Sequence, residues 1–201
     1  MLVIPEQSIN LPEIISALKS GKTIVYPTET CYGLGCDATN YISVDKIFNI
    51  KQRQKEKSVL VVAPSIKMMM EYIDWTAPLQ KIADNYWPGA LTVVTKAKDN
   101  CNLARGVIAS DGTIAFRISS HPLVTNLSES LGRPLVSTSA NIASEESPYD
   151  IESVLKMFEN SLYQPDLIVD AGVLPHKSPS TIIRLDNENI TVLRQGEVVI
   201  I

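Results

Sequence analysis

The chain has 201 residues, of which 45% are hydrophobic, and this is enough for one domain with a substantial core. A net charge of −4 excludes a global attraction to nucleic acids or anionic membranes, and neither a membrane-spanning run nor a secretory leader is present, which predicts a cytoplasmic protein. The three cysteines, Cys31, Cys36 and Cys101, are odd in number and contain no CxxC pair, which disfavours a disulfide framework and a structural zinc site. The only histidines are His121 and His176, which disfavours a histidine-rich metal site and a Ser-His-Asp triad.

The first predicted elements surround a polar loop. A helix is predicted over Asn10 to Ser20, with Asn10 as N-cap and Gly21 as the stop, and a buried strand follows over residues 22–25. The segment YPTETCYGLG, residues 26–35, then places three oxygen-bearing side chains and two glycines at the end of that strand. This segment is either the wall of a pocket or a tight loop whose threonines satisfy their own backbone.

The rest of the chain predicts one α/β (α+β) domain over residues 1–201. Further helices are predicted over residues 43–50, 66–73, 77–86, 122–131 and 150–158, and strands over residues 58–63, 90–95, 113–118, 134–136, 167–169, 181–185, 190–194 and 198–201. Strands alternate with helices in the first part of the chain, and strands cluster near its end. This pattern favours one twisted, mixed sheet flanked by helices. No GxGxxG and no GxxxxGK[ST] segment is present, so neither a Rossmann nor a P-loop nucleotide site is supported.

The segment KQRQKEK, residues 51–57, has four cations among seven residues. It is either a solvated surface turn or a clamp for phosphate oxygens, since arginine offers a bidentate fork and lysine a point charge. If the backbone is extended here, Lys51, Arg53 and Lys57 project to one side, and Gln52 and Gln54 project to the other.

Two further features carry candidate chemistry. STSAN, residues 137–141, follows a short apolar strand and is either a local turn or a cradle of hydroxyls and an amide at a strand end. Arg117 lies in the apolar strand TIAFRI, and a partly buried arginine needs an anionic partner. No acidic residue is close in sequence, so that partner is either a distant carboxylate or the carboxylate of a ligand.

The chain resembles the YrdC/Sua5/TsaC family of threonylcarbamoyl-AMP synthases in the order and spacing of five motifs. These are YPTETCYGLG, the KxR of Lys51 and Arg53, WPG at residues 87–89, TIAFRISSHP at 113–122 and PLVSTSAN at 134–141. The resemblance covers nearly the whole chain and is closest to the short bacterial form. It implies a twisted α/β sheet around a deep, positively lined cleft. It also implies an enzyme that joins L-threonine, bicarbonate and ATP into threonylcarbamoyladenylate and pyrophosphate, with Mg²⁺ accompanying ATP and no protein-bound metal. A separate transferase then moves the threonylcarbamoyl group to adenosine next to the tRNA anticodon.

The resemblance also implies roles for individual residues. Arg117 would bind the threonine carboxylate, with Thr30, Ser137 and Ser180 completing the amino-acid site. The ATP site would be formed by Arg53, Lys57, Thr113, Ser139, Asn141, Ser147 and Arg194, with Lys51 adding charge at the phosphates, and Lys51 and Arg53 would be the catalytic cations.

The sequence departs from the family pattern at two places. Gln54 and Ser58-Val59 stand where many relatives have proline and Pro-Leu, and no histidine lies near Val62, where longer relatives use one to hold threonine. An alternative function is binding of double-stranded RNA or tRNA through the same cleft, although aromatic and basic residues do not interleave as in single-strand binders. A related paralogue group lacks both the KxR and SAN elements, and the presence of both favours the synthase.

Overall fold

The computed structural model describes residues 1–201 and forms a single α/β domain. The helices are α1 (Leu11–Lys19), α2 (Tyr41–Lys51), α3 (Ile66–Met69), α4 (Ala77–Tyr86), α5 (Pro122–Leu131) and α6 (Ile151–Phe158). The strands are β1 (Leu2–Pro5), β2 (Ile24–Pro27), β3 (Tyr32–Gly35), β4 (Val61–Ala63), β5 (Leu91–Lys96), β6 (Thr113–Ile118), β7 (Leu135–Val136), β8 (Thr138–Ser139), β9 (Leu167–Asp170), β10 (Thr181–Asp186) and β11 (Asn189–Arg194). No helix has the length and apolar character needed to cross a membrane.

The strands form two mixed sheets rather than the one predicted sheet. The first has the order β1-β9-β2-β3-β8 and the second the order β11-β10-β5-β6-β4-β7. The chain passes from the second sheet to the first between β7 and β8, and Ser137 is the one residue between these strands. The fold therefore places the start of STSAN at the junction of the two sheets.

Helix boundaries follow from local capping. The Asn40 side chain accepts from the backbone N–H groups of the first turn of α2, and the Asp150 side chain does the same for α6. Asn10 precedes α1 as predicted, but its amide donates to the Glu13 carboxylate at 2.7 Å and caps no backbone group. α1 and α5 pack over a smaller core that includes Tyr26, and a larger core fills the space around β5 and β6.

Several predicted boundaries were wrong. Tyr32–Gly35, predicted as loop, pairs with β2 as an antiparallel strand, so YPTETCYGLG is a β-hairpin whose turn is formed by residues 28–31. No strand forms over residues 198–201, because the backbone of Val198 bonds to the Thr181 side chain instead of to a neighbouring strand. β1 was not predicted; it is stabilised by parallel pairing with β9, a long-range contact that its short sequence does not signal.

Candidate active site

A cavity of about 230 Å³ is lined by hydroxyl-bearing and cationic side chains from several separate segments of the chain. The hairpin turn contributes Thr28 and Thr30, the centre of the second sheet contributes Thr92 and Arg117, the junction contributes residues 137–139, and the C-terminal region contributes Ser180 and Arg194. Arg53 is the third arginine of the lining, which contains no aspartate or glutamate. The cavity is therefore suited to an anionic ligand.

Arg117 is nearly fully buried, with a side chain that is 4% exposed. Its Nε lies 3.2 Å from Oε1 of Glu29, but the two atoms lack hydrogen-bond alignment and neither has another hydrogen-bond partner. The distant carboxylate that the sequence left open as a partner is thus Glu29, 88 residues away in the chain. Because Glu29 contacts the Nε side, the terminal nitrogens of the guanidinium stay available to the cavity that Arg117 lines.

Arg194 and Ser180 lie together at the C-terminal side of the cavity. Arg194 donates through Nε and Nη2 to the Ser180 backbone oxygen at 3.2 and 2.7 Å, and through Nη2 to the Ser180 hydroxyl at 3.1 Å. That hydroxyl also pairs with Thr92 at 3.0 Å. Partial burial, and then the charge of Arg117, lower the pKa of Arg194, which indicates that the two cations face one space.

The segment 51–57 is not extended, so the predicted sorting of its side chains to two faces was wrong. Lys51 is the last residue of α2, Gln52 takes a left-handed conformation that ends the helix, and residues 55–57 form a turn. Arg53 nevertheless lines the cavity; its Nε donates to the Lys57 backbone oxygen at 2.9 Å and its Nη2 to that of Ser58 at 3.0 Å. Lys57 is exposed and outside the lining.

Lys51 is buried and holds the STSAN segment from behind. Its ammonium donates to the backbone oxygens of Ser139 and Asn141 at 2.6 and 2.8 Å and to Asn141 Oδ1 at 3.0 Å. Burial, followed by the charge of Arg53, lowers the pKa of Lys51 to about 8. All three ammonium protons thus have protein acceptors, and Lys51 does not line the cavity.

The remaining predicted residues divide into two groups. Thr30, Ser137, Ser139 and Ser147 line the cavity, whereas Asn141 lies behind the lining and accepts from the Ser139 hydroxyl at 2.6 Å. Thr113 is also outside the lining, and its hydroxyl donates to Asp111 at 2.6 Å. The structure therefore brings together Thr30, Arg53, Arg117, Ser137, Ser139, Ser147, Ser180 and Arg194, and does not bring Lys51, Lys57, Thr113 or Asn141 to the cavity surface.

Sequence reasoning missed other lining residues. Thr28 organises the hairpin turn, because its hydroxyl donates to the Cys31 backbone oxygen at 2.7 Å and accepts from the Thr30 and Cys31 N–H groups. Cys31 also lines the cavity, and burial raises the pKa of its thiol. Thr92 lies within an apolar strand, and only its pairing with Ser180 across the sheet identifies it. The hydroxyl cluster of the hairpin could have flagged Thr28.

Close approach of backbones explains one glycine of the hairpin. A Cβ atom on Gly35 would lie 2.1 Å from the backbone oxygen of Val136, so no other residue fits without moving the junction. Gly33 is less constrained, because the nearest atom to a Cβ at that position would be the side-chain methyl of Thr28 at 3.0 Å and not a backbone atom. Gly35 thus sets the distance between the hairpin and the strand that leads into Ser137.

This combination defines a class of protein: an α/β domain with a polar, arginine-lined cavity, suited to a small anionic ligand, at the junction of two sheets. The family model described as "Telomere recombination", that of the Sua5/YciO/YrdC domain, matches residues 16–196, and the chain belongs to this family.

The chain resembles curated and solved members of the family along nearly its full length. It is 32% identical over 191 residues to a threonylcarbamoyl-AMP synthase of Vibrio vulnificus, covering 93% of this chain and 98% of that protein. Among solved structures, Sua5 of P. abyssi in complex with L-threonine matches with a TM-score of 0.86 and 26% identity, over 97% of this chain and 57% of that longer one. YciO of E. coli matches with a TM-score of 0.82 and 25% identity, over 97% and 94% of the two chains.

Proposed function

We propose that this protein is an L-threonylcarbamoyladenylate synthase, a nucleotidyltransferase that converts L-threonine, bicarbonate and ATP into threonylcarbamoyl-AMP and pyrophosphate. The observation that carries the proposal is a cavity with three arginines and no lining carboxylate, in a chain similar over its length to a threonylcarbamoyl-AMP synthase. The threonine-bound relative supports threonine as the amino acid.

The reaction brings anions together, and this requires the cations of the cavity. The threonine amine must form a carbamate with bicarbonate, which releases water. The carbamate oxygen must then attack the α-phosphorus of ATP while pyrophosphate leaves with its charge neutralised. Arg117 would bind the threonine carboxylate, with Thr30, Ser137 and Ser180 as its hydroxyl neighbours. Such a reaction needs positioning and charge neutralisation but no covalent nucleophile on the protein.

The ATP phosphates would contact Arg53 and Arg194, and Ser139 and Ser147 would serve as hydroxyl donors to the nucleotide. In this assignment Lys51 and Asn141 hold the segment that carries Ser139, and they act on the nucleotide through it. Lys57 and Thr113, which the family resemblance also implies, do not line the cavity here, because Lys57 is exposed and the Thr113 hydroxyl donates to Asp111.

Mg²⁺ would arrive as part of the ATP substrate. No three histidine, cysteine, aspartate or glutamate side chains lie together to form a protein cage for a metal ion. The cavity instead offers hydroxyls, which is compatible with an ion held mainly by phosphate oxygens and water. We place the reaction in the cytoplasm, upstream of a transferase that delivers the threonylcarbamoyl group to tRNA.

Pyrophosphate release tests the function directly. Purified protein is supplied with ATP, Mg²⁺, threonine and bicarbonate, and each component is left out in turn. Pyrophosphate that requires all of them supports the synthase. Salt-dependent binding of tRNA without any threonine-dependent pyrophosphate would contradict it and favour the RNA-binding alternative.

A further inference from the structure

All of the buried side-chain nitrogen and oxygen atoms that lack a hydrogen-bond partner lie in one cluster. They are Oε1 of Glu29, Nε of Arg117 and Nδ1 of His121. Buried polar groups are nearly always hydrogen-bonded, whereas Oε1 of Glu29 and Nε of Arg117 face each other at 3.2 Å as an ion pair without hydrogen-bond alignment, so this pair keeps unused hydrogen-bonding capacity beside the cavity. The cluster borders the cavity through Arg117 and through Thr28 and Thr30 on either side of Glu29.

The carboxylate of Glu29 is fixed beside Arg117. Its second oxygen, Oε2, accepts from the Ser119 hydroxyl at 2.9 Å, and that hydroxyl accepts from the backbone N–H of His121 at 3.2 Å. The Glu29 side chain is only 11% exposed. Burial lowers the pKa of His121, which favours the neutral form of its imidazole beside Glu29.

The two other arginines of the cavity have no such counter-charge. Arg53 donates to the backbone oxygens of Lys57 and Ser58, and Arg194 donates to the backbone and hydroxyl oxygens of Ser180. Neither forms an ion pair with a carboxylate. The cavity thus has a positive part, at Arg53 and Arg194, and a part at Arg117 where a cation and an anion lie side by side.

We propose that Glu29 is a specificity-determining residue that makes the Arg117 end of the cavity complementary to a zwitterionic α-amino acid and not to a simple anion. The inference rests on the proposed function and deepens it. The carboxylate and ammonium groups of an α-amino acid are attached to the same carbon. A ligand carboxylate on the terminal nitrogens of Arg117 therefore places its ammonium in the attractive field of Glu29. A carboxylate without an ammonium is attracted by Arg117 and repelled by Glu29. The phosphates of ATP and bicarbonate are left to Arg53 and Arg194.

The test compares two ligands that differ only in the ammonium group. Calorimetry measures binding of L-threonine and of the matching enantiomer of 3-hydroxybutanoate, which is threonine without its amino group. The unmodified protein should bind threonine at least about tenfold more tightly, because 3-hydroxybutanoate lacks the ammonium that Glu29 attracts and keeps the carboxylate that Glu29 repels. Equal affinity for the two ligands would overturn the proposal without any substitution.

Two variants separate charge from shape. Glu29→Gln keeps the side-chain shape. It should weaken the binding of threonine and leave the binding of 3-hydroxybutanoate unchanged or tighter. The ratio of the two affinities should therefore fall about tenfold or more. Glu29→Asp keeps the charge and should keep most of the discrimination. Glu188→Gln, an exposed carboxylate in the β10–β11 turn, is the matched control and should change neither affinity. If Glu29→Gln weakens both ligands by the same factor, Glu29 only supports Arg117 and the proposal is wrong.

The same measurements distinguish failure of this inference from failure of the proposed function. Binding and discrimination are read without ATP, whereas the synthase is read as pyrophosphate release. If threonine binds tightly and its binding depends on the ammonium group, but no pyrophosphate is released, the result contradicts the synthase function and supports the proposed role of Glu29. Pyrophosphate release with unchanged discrimination in Glu29→Gln keeps the synthase and overturns the role of Glu29.

Discussion

The buried ammonium of Lys51 gives the sharpest test of how the cavity is built. The family resemblance makes this lysine a phosphate contact, whereas the structure gives all three of its protons to the STSAN segment. Lys51→Met keeps most of the side-chain volume, removes the charge and takes the ammonium donor from the backbone oxygens of Ser139 and Asn141, while Asn141 Oδ1 keeps only the Ser139 hydroxyl as a donor. We therefore expect a loss of folding stability together with a loss of activity.

The magnitude follows from two opposing contributions. Hydrogen bonds from a charged donor contribute roughly 1.5–3 kcal/mol each, so three contribute about 4.5–9 kcal/mol. The lowered pKa of Lys51, about 8 instead of 10.5, indicates that burial of the charge costs about 3 kcal/mol. The net loss on substitution is then about 1.5–6 kcal/mol, which in a domain of this size lowers the melting temperature by roughly 3–24 °C.

Thermal melting and ATP titration are measured on Lys51→Met and on a matched control, Lys55→Met. Lys55 is exposed and pairs with Asp45 at the surface, and such pairs contribute about 0–1 kcal/mol. The control should therefore melt within about 4 °C of the unmodified protein. If Lys51→Met melts like the unmodified protein but binds ATP about tenfold to a hundredfold more weakly, Lys51 is a phosphate contact and the structural reasoning is refuted.

Three further predictions concern residues that line the cavity. Arg117→Ala should raise the threonine requirement strongly, and Arg117→Lys should restore little because lysine has no bidentate fork; unchanged threonine dependence in a folded Ala variant would contradict the assignment. Ser139→Ala should lower turnover while the melting temperature moves by only a few degrees, and the reverse pattern in paired melting and activity measurements would make Ser139 a structural residue. Arg53→Ala should weaken ATP binding, measured by calorimetry, about tenfold to a hundredfold. Gln54 is exposed and outside the lining, so Gln54→Ala should bind ATP as the unmodified protein does. Similar ATP affinities for the two variants would show that Arg53 does not contact the phosphates.

Local signals predicted most helices and the central strands because these elements carry their own caps and periodic apolar residues. α4, for example, was predicted over 77–86 with the bounds that the structure has. The errors lie where long-range pairing decides the structure. β1 and Tyr32–Gly35 become strands because β9 and β2 pair with them, and a short sequence does not contain that information.

The candidate site was predicted to a similar extent, and for a similar reason. The types of residue were visible, because hydroxyls at strand ends and an arginine in an apolar strand are conspicuous in a sequence. The sequence does not show which residues these side chains contact. Glu29 and Arg117 are 88 residues apart, and only the fold shows that one carboxylate contacts this arginine and none contacts Arg53 or Arg194.

The position of the cavity explains why its residues come from distant parts of the chain. Ser137 lies where the chain changes sheets, and the hairpin turn reaches the same place because Gly35 lets β3 approach Val136. On the other side, parallel pairing of β10 with β5 brings Ser180 to Thr92, and the antiparallel return of β11 brings Arg194 onto Ser180. Arg194 is therefore held by a backbone oxygen beside paired strands and Arg117 by the Glu29 carboxylate, while Arg53 is held by the backbone oxygens of Lys57 and Ser58 after α2. A cavity assembled in this way keeps its cations in place before any ligand arrives, and such preorganisation is what a reaction between anions requires.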